Sequence, residues 1–476
     1  MKNRLRLAPS PTGFFHIGTA RTALFNWLYA KKTNGDFLIR IEDTDTIRSK
    51  SEYKKNILDG LKWLGLSWDE EPLEQSKRIA IHKQSIKKLL DKGLAYRCFT
   101  SEEETILLRE DQKKKGLPPK HDNRHRNLTD DEVKKFISEG KSSVIRFKIQ
   151  DNLEIKWQDL IRGEINWFGK DLGGDMVLSR RANGYEIGEP LYNLAVVVDD
   201  HFMRISHVVR GEDHISNTAK QILIYEALGY EKPIFAHTPL ILNNEGKKLS
   251  KRDSVTSIDD FKNLGYLPEA LTNYMALLGW SPVSGENEIQ SINKIALNFN
   301  LQSVNKSGAK FNWEKLNWIN SQYLKNLELD ELANLSKKFW SKKGWKAPSK
   351  NWELKLISLL QDSLILLNDI ESQSEPFFIL PKITDEGNEF LQKDEVQNSL
   401  KCLFSSLKKN DEPFDTQIAK TLIEEVSKSS QIKKGLLMKS LRVALFGCLS
   451  GPDLIQSWVL LSENNAVMER IKRCIK

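Results

Sequence analysis

The stretch Pro9-Ser-Pro-Thr-Gly-Phe-Phe-His16-Ile-Gly18-Thr19 decides how the first part of the chain folds. It follows an apolar strand candidate, Leu5 to Leu7, and precedes a helical run from Thr22 to Lys32, so its proline and glycine residues predict a tight loop between a strand and a helix. A second strand candidate, 37–41, and a second helix candidate, 51–64, repeat this order. Alternating strands and helices predict a parallel sheet, and such sheets bind nucleotides at the carboxyl ends of their strands.

A second stretch, Lys248-Leu-Ser-Lys251-Arg252, lies just past the middle of the chain. Lys248 and Lys251 are three positions apart and can project from one loop toward the same phosphates, with Ser250 adding a hydroxyl or backbone contact. Alone, a basic loop is more typical of a solvated surface. Its position after the last strand–helix unit, together with His16 and the N–H groups around Gly18 at a helix start, favours a polyphosphate site.

Size, charge and cysteine content narrow the class of protein. A chain of 476 residues predicts two to four domains, and a net charge of +8 is compatible with a polyanionic partner. The four cysteines show no paired spacing, which argues against a disulfide framework. No signal core precedes the first strand, and no apolar run approaches the roughly 18 residues of a membrane span, so we expect a soluble, cytoplasmic protein without membrane contact.

The pattern of elements changes along the chain. A helix around 101–115, a capping-box start at Thr129 with Glu132, and strands near 144–149 predict an α+β insertion between two halves of the sheet. Strand candidates at 194–198 and 205–210 would return the chain to that sheet, and nearly every later segment shows helical periodicity. The predicted fold class is therefore α/β, a Rossmann-like parallel-sheet domain with an α+β insertion, followed by an all-α C-terminal region.

Three further runs carry a resemblance to a known family: Arg6-Leu-Ala-Pro-Ser-Pro-Thr-Gly, Arg40-Ile-Glu-Asp-Thr-Asp45 and Val208-Val-Arg-Gly-Glu-Asp-His214. With the two loops above, which stand in the places of the HIGH and KMSKS motifs, the chain resembles a class I aminoacyl-tRNA synthetase and, more narrowly, a bacterial-type glutamyl-tRNA synthetase. The resemblance covers nearly all of the chain and is densest before about Trp318. It implies activation of L-glutamate with ATP to glutamyl-adenylate and transfer of glutamate to the 3′-terminal adenosine of tRNA(Glu).

The resemblance also implies the site residues. Those expected to bind glutamate are Arg6, Ala8, Ser10, Glu42, Tyr192 and Arg210. Those expected to bind ATP are Pro9, Thr12, His16, Gly18, Thr19 and Lys251. Those expected to act in catalysis are His16, Lys248, Ser250 and Lys251. Thr19 replaces the final histidine of the motif, a change common among glutamyl enzymes. Two cations and one anion at strand ends match the two carboxylates and one ammonium of glutamate.

Some relatives hold structural zinc in the insertion. The matching positions here are Cys98, Thr100, His125 and Asn127, of which only two are competent ligands, and His121 would be a poorly spaced third. Structural zinc takes four ligands. We therefore expect no structural zinc, and Mg²⁺ that arrives with ATP.

The family's modular order predicts four parts. They are a catalytic domain at 1–82 and 195–243, an inserted acceptor-end-binding domain at 83–194, a stem-contact domain at 244–327 carrying the second loop, and a helical anticodon-binding domain at 328–476. Lysines at 337, 338, 342, 343 and 346, interleaved with Phe339, Trp340 and Trp345, suggest RNA contacts, although an amphipathic helix with its aromatic residues in the core explains the same pattern. The expected partner is tRNA(Glu), with tRNA(Gln) left open, and the expected state is a monomer.

Three alternatives remain at this point. A glutaminyl enzyme is disfavoured because Arg210 opposite Arg6 suits a second carboxylate better than an amide. A truncated relative that modifies a tRNA base would lack the helical third. A non-catalytic RNA-binding protein with the same fold is disfavoured because His16, Lys248 and Lys251 are all present.

Overall fold

The computed structural model describes residues 2–249, 255–282, 285–409 and 414–476. Ser250 and Lys251 therefore lie outside the described residues. The chain divides into two compact units, of which the first comprises Met1–Phe261 and Leu271–Asn312 and the second Lys262–Ala270 and Trp313–Lys476. The strands are β1 (Arg4–Leu7), β2 (Asp36–Ile41), β3 (Leu73–Glu74), β4 (Ala95–Cys98), β5 (Val144–Phe147), β6 (Glu154–Asp159), β7 (Gly163–Phe168), β8 (Met176–Val177), β9 (His207–Gly211), β10 (Ile234–Thr238), β11 (Ile241–Leu242) and β12 (Ala309–Lys310).

Helices cover most of the remaining described chain. Those before residue 300 are α1 (Ile17–Lys32), α2 (Ser51–Trp63), α3 (Ile79–Asp91), α4 (Glu102–Lys114), α5 (Asp130–Ser138), α6 (Tyr192–Phe202), α7 (Ile215–Leu228), α8 (Ile258–Leu264), α9 (Pro268–Leu277) and α10 (Ile292–Asn298). Those after it are α11 (Trp313–Lys325), α12 (Leu329–Lys343), α13 (Lys350–Gln361), α14 (Asp369–Phe378), α15 (Asp385–Leu391), α16 (Asp394–Leu407), α17 (Thr416–Ser430), α18 (Lys434–Phe446), α19 (Leu454–Glu463) and α20 (Val467–Lys472). Among all of these, none is long and apolar enough to cross a membrane.

The main sheet of the first unit has the strand order β3-β2-β1-β9-β10-β6-β7. All neighbours are parallel except β6 and β7, which form an antiparallel hairpin. The order reverses between β1 and β9, and crevices at such reversals, outside the carboxyl ends of the strands, are where open α/β sheets bind ligands. The predicted α/β class with its Rossmann-like parallel sheet is confirmed.

The predicted strand at 194–198 is wrong, because these residues belong to helix α6. Leu194 to Val198 are all buried in the core between the sheet and its neighbouring helices. A short apolar run that is buried on every side shows no periodicity that separates a strand from a helix. Tertiary burial has therefore overridden the strand propensity of three consecutive valines.

The inserted region makes its own small sheet and also extends the main one. Strands β4, β5 and β8 form an antiparallel sheet, and α4 and α5 both start with the capping boxes Ser101/Glu104 and Thr129/Glu132. The hairpin at 154–168 instead lies at the edge of the main sheet, a placement that the sequence did not indicate. One continuous core connects both sheets. The boundaries 83–194 remain a prediction.

The second unit is helical in its described part, as predicted. Its core contains the fully buried Trp352 and Trp458, and the Trp352 Nε1–H donates to the carbonyl of Leu460 at 2.9 Å. Phe339 and Trp340 are also buried, and Trp340 Nε1 donates to Ser374 Oγ at 2.8 Å. These two aromatic rings therefore belong to the core and do not offer a stacking surface for bases.

Candidate active site

A cavity of about 620 Å³ opens at the carboxyl edge of β1, β2 and β9. Most residues that the sequence predicted for the site line it. These are Arg6, Ala8, Pro9, Ser10, His16, Gly18, Thr19, Glu42, Tyr192, Arg210 and Lys248. Thr12 does not line this cavity: it is exposed, and its N–H donates to the carbonyl of Ser10 at 2.8 Å.

His16 caps the helix that follows the first loop. Its Nδ1 accepts the N–H of Gly18 at 3.0 Å, so in the neutral ring the proton lies on Nε2. A ring in this tautomer can donate Nε2–H to a phosphate oxygen. The Gly18 N–H donates to this cap, and the ATP contact expected at Gly18, which lines the cavity, stays a prediction.

The second loop returns to the first. Lys248 lines the cavity, and its Nζ lies 3.0 Å from Oδ2 of Asp213. Beyond the loop, Thr256 accepts the N–H of Ile17 at 2.8 Å and Ile258 donates to Phe15 at 2.8 Å. Both described flanks of the second loop therefore meet the region around His16, which supports a shared site for the two motifs.

A buried cluster of alternating charges lies at one side of the cavity. Arg6 donates through Nε and Nη2 to the two oxygens of Asp200, at 3.0 and 3.2 Å. Arg40 bonds the same carboxylate through Nη1 and also donates to Oε1 of Glu42 at 3.0 Å. Burial opposes ionisation of Asp200, but the guanidinium groups of Arg40 and Arg6 hold its pKa at about 2. The sequence assigned no role to Arg40 or to Asp200, which lie 160 positions apart in the chain.

Glu42 is the anion of the predicted substrate pocket. Its side chain is nearly fully buried, and burial raises its pKa while the neighbouring Arg40 opposes that shift. The carboxylate lines the cavity with Arg6, on the adjacent strand. An anion at this position can accept hydrogen bonds from an ammonium group.

Arg210 has a different set of partners. Its Nη2 donates to Thr218 Oγ1 at 2.6 Å and to Gln221 Oε1 at 2.8 Å, and its Nε donates to Nε2 of His237 at 3.4 Å. Burial lowers the pKa of Arg210, and burial also keeps the pKa of His237 below its ordinary value. Within the described chain the hydrogen-bond partners of this guanidinium are therefore all neutral, and its positive charge is not compensated by an ion pair.

Tyr192 links Arg210 to His214. The tyrosine hydroxyl lies 3.1 Å from Nδ1 of His214 and accepts a long contact from Arg210 Nη1 at 3.5 Å. Burial and the nearby Arg210 lower the pKa of His214 to about 4, so this ring is neutral at neutral pH and can accept a hydrogen bond from the tyrosine hydroxyl. The hydroxyl of Tyr192 is thereby oriented at the cavity wall.

Cys98, Thr100, His121 and His125 meet in the inserted region, at the positions considered above for zinc. Sγ of Cys98 lies 3.8 Å from Nε2 of His121 and 3.7 Å from Nδ1 of His125. Nδ1 of His121 lies 3.0 Å from the backbone N of Asn123 and 3.2 Å from its Oδ1, so both ring nitrogens of His121 already have contacts within the protein. In the described chain no three Cys, His, Asp or Glu side chains are arranged to hold a metal. The residues present do not fit a four-ligand zinc site.

Comparison with protein families identifies this architecture. Residues 2–318 match the catalytic domain of the class I tRNA synthetases (E and Q), and residues 331–475 match an anticodon binding domain. The chain belongs to the class I tRNA synthetases of the E and Q type. In this family member, the matched catalytic domain includes every residue of the cavity just described.

Relatives of this synthetase match it over its whole length. It is 68% identical over 477 residues to a glutamate–tRNA ligase of Prochlorococcus marinus strain MIT 9515, with 100% of each chain covered. It is 68% identical over 476 residues to another from the subspecies pastoris, again with 100% of each covered. The crystal structure of a glutamate tRNA ligase from Elizabethkingia meningosepticum in complex with its amino acid superposes with a TM-score of 0.91 at 33% identity, covering 100% of this chain and 99% of that chain.

Proposed function

We propose that this chain is a glutamate–tRNA ligase that forms glutamyl-adenylate from L-glutamate and ATP and then esterifies the 3′-terminal adenosine of tRNA(Glu). The full-length relatives are glutamate–tRNA ligases. The single observation in the cavity that carries the choice of amino acid is Arg210, a buried guanidinium whose partners in the described chain are neutral. A buried, uncompensated cation favours an anionic ligand over an amide.

The two carboxylates of glutamate place different demands on the site. One attacks the α-phosphorus of ATP and expels pyrophosphate, so it loses its charge, whereas the side-chain carboxylate stays ionised throughout. We assign the side-chain carboxylate to Arg210, because a permanent anion matches an uncompensated cation. The ammonium group is assigned to Glu42, beside Arg6 and Ser10. Ala8 keeps the wall after β1 small enough for the substrate.

The phosphates belong to the other part of the cavity. His16, with its proton on Nε2, and Lys248 supply donors where negative charge develops as pyrophosphate leaves. Pro9, Thr19 and the cap at Gly18 shape this loop. From their places in the two motifs we also assign phosphate contacts to Thr12, Ser250 and Lys251.

The finer partners follow from the same proposal. We propose that the protein is a cytoplasmic monomer, that Mg²⁺ enters with ATP, and that no structural zinc is held at Cys98, where His121 and His125 leave the set short of the four ligands that structural zinc takes. We propose the helical residues 328–476 as the anticodon-binding part and tRNA(Glu) as the substrate. Charging of tRNA(Gln) depends on anticodon contacts there and is decided by assaying both tRNAs.

Glutamate-dependent ATP–pyrophosphate exchange, with and without tRNA, tests the proposed function. We expect exchange with glutamate and not with glutamine, followed by formation of glutamyl-tRNA(Glu). Exchange with glutamine alone would indicate the glutaminyl enzyme instead. Absence of exchange under both conditions, in a protein that still binds tRNA, would indicate a non-catalytic RNA-binding protein.

A further inference from the structure

A buried chain of hydrogen bonds extends from Arg210 to a carboxylate outside the cavity wall. Arg210 contacts His237 and Thr218, and His237 contacts Asp159 through Nδ1 and Oδ2 at 2.6 Å. Thr218 joins the chain with its Oγ1 2.8 Å from Nε2 of His237. All of these side chains are almost fully buried, and Asp159, Thr218 and His237 do not line the cavity.

The directions of these hydrogen bonds depend on Asp159. An ionised carboxylate can only accept, so Nδ1 of His237 carries the proton and Nε2 is left as an acceptor. The single lone pair of Nε2 then faces Nε–H of Arg210 at 3.4 Å and the Thr218 hydroxyl at 2.8 Å, and that hydroxyl also lies 3.2 Å from the carbonyl of His214. With the opposite tautomer, an N–H of His237 would point at an N–H of Arg210. Asp159 therefore determines whether His237 attracts or repels the arginine.

Asp159 is itself held firmly. Its Oδ1 accepts three backbone N–H groups, from Ile161 at 3.0 Å, Arg162 at 2.9 Å and His237 at 3.1 Å. These bonds oppose the burial effect and keep the pKa of Asp159 below its ordinary value, with the His237 side chain contributing most. In the sheet, Arg210 on β9 lies opposite His237 on β10, and Asp159 ends the next strand, β6.

We propose that Asp159 and His237 are positioning residues that fix the orientation of Arg210 and thereby select a substrate carboxylate over an amide. This inference rests on the proposed role of Arg210 in binding glutamate. It gives the hairpin of the inserted region a part in amino-acid selection, since that hairpin contributes Asp159. The charge of Asp159 stays remote from the substrate and acts through the tautomer of His237.

The isosteric variant Asp159→Asn tests the tautomer directly. Its amide can keep an acceptor at the backbone N–H groups but offers an N–H to Nδ1 of His237, which drives the imidazole proton to Nε2. In ATP–pyrophosphate exchange with tRNA present, we expect the KM for glutamate to rise about 10- to 30-fold, the scale of a lost hydrogen bond to a charged group. The KM for ATP should change less than about twofold, because the phosphate donors lie elsewhere in the cavity.

A matched control separates positioning from general destabilisation. His82 forms a second fully buried His–Asp pair, with Nε2 at 2.9 Å from Asp199, and it does not line the cavity. His237→Asn should raise the KM for glutamate as Asp159→Asn does, whereas His82→Asn should leave it unchanged. Thr218→Val removes a hydroxyl that contacts both His237 and Arg210, so it tests the cluster around Arg210, and His237→Asn is the second route to the inference if Asp159→Asn does not fold.

The double variant Asp159→Asn/Arg210→Gln gives the decisive readout. If Asp159 acts through Arg210, adding Asp159→Asn to Arg210→Gln should leave the KM for glutamate within about twofold, because coupled residues are not additive. A full additional increase, or equal increases in both KM values, overturns the inference. If Arg210→Gln raises the KM for glutamate but none of Asp159→Asn, His237→Asn and Thr218→Val does, this inference is overturned and the proposed role of Arg210 stands. No effect of Arg210→Gln overturns the proposed role of Arg210 as well.

Discussion

Two buried arginines of the same sheet have opposite surroundings. Arg40 bonds the carboxylates of Glu42 and Asp200, whereas Arg210 is held by a threonine, a glutamine and a neutral histidine. Both are almost inaccessible to solvent, so burial does not distinguish them. The two arginines differ in the charge of their hydrogen-bond partners. Removing the partner of a compensated cation destabilises the fold, while an uncompensated cation is a cost to folding that a ligand carboxylate can relieve.

The largest effect is expected where compensation is removed. Asp200→Ala takes away the carboxylate shared by Arg6 and Arg40, and breaking a buried pair in this way lowers the free energy of unfolding by about 3–5 kcal/mol. Urea denaturation measures this loss. Glu70→Ala, which removes the more exposed pair with Arg4, is the control and should cost less than about 1 kcal/mol. A similar small cost for Asp200→Ala would show that its carboxylate is not needed to compensate the cluster.

Arg210→Gln should act on binding far more than on folding. The change leaves a substrate carboxylate underpaired, which costs about 2–5 kcal/mol for a desolvated charge pair, so glutamate should bind at least tens of times more weakly. The affinity for ATP should hardly change, and the loss of stability should be smaller than for Asp200→Ala. Calorimetric titration with each substrate measures both affinities. Unchanged affinity for glutamate would remove Arg210 from the site.

The sequence predicted where the cavity lies. It did not predict that the arginines near the cavity differ in the charge of their hydrogen-bond partners. Arg6, Glu42 and Arg210 each end a strand, and parallel strands bring their carboxyl ends to one edge, so short runs of sequence were sufficient to predict that these residues meet. The charged partner shared by Arg6 and Arg40 is Asp200. Helix α6 brings this residue to both arginines from more than 150 positions away in the chain. Local sequence carries no signal for that pairing.

The same limit explains the missed elements of the fold. The run Leu194 to Val198 is apolar on every side, so its periodicity could not identify α6. The hairpin at 154–168 alternates like any exposed-edge hairpin, and only the pairing of β6 with β10 shows that it joins the main sheet. Asp159 could therefore be recognised as a neighbour of His237 only from the structure. Helix starts with capping boxes, such as Thr129, were predicted correctly because their signal is local.

The two lysines of the second loop extend the contrast between compensated and uncompensated cations. If Lys251 stabilises the charge that develops on the phosphates, Lys251→Ala should slow adenylate formation by about 10²–10³-fold, the scale for one preorganised donor. Lys248→Ala should slow it less, because its ammonium shares charge with Asp213 at 3.0 Å. Single-turnover kinetics of the two half-reactions measures both. Transfer to tRNA from preformed adenylate should be affected much less, since pyrophosphate has already left; equal slowing of both steps would contradict the role.

The smallest effect on the free energy of unfolding is expected at Cys98. This residue is a buried anion, whereas Arg210 is a buried cation. Burial opposes the ionisation of Cys98, yet hydrogen bonds from His121, Thr100 and His125 lower its pKa to about 5, so a buried thiolate is held by hydrogen-bond donors as the guanidinium is held by hydrogen-bond acceptors. An unfolded cysteine has a pKa of about 8.5. Between these values the unfolded state binds one more proton, so the stabilisation is fully present above pH 8.5 and is lost as the pH falls through 5.

From pH 6.5 to 7.5 the free energy of unfolding should therefore rise by about 1 kcal/mol more in the wild type than in Cys98→Ser, which keeps the hydrogen bonds but does not titrate. Cys402→Ser, a cysteine outside the cluster, should follow the wild type. Equal pH dependence of the free energy of unfolding in all three proteins would mean that Cys98 is a neutral thiol. The donors around Cys98 would then not stabilise an anion, unlike the acceptors around Arg210, which accommodate a cation.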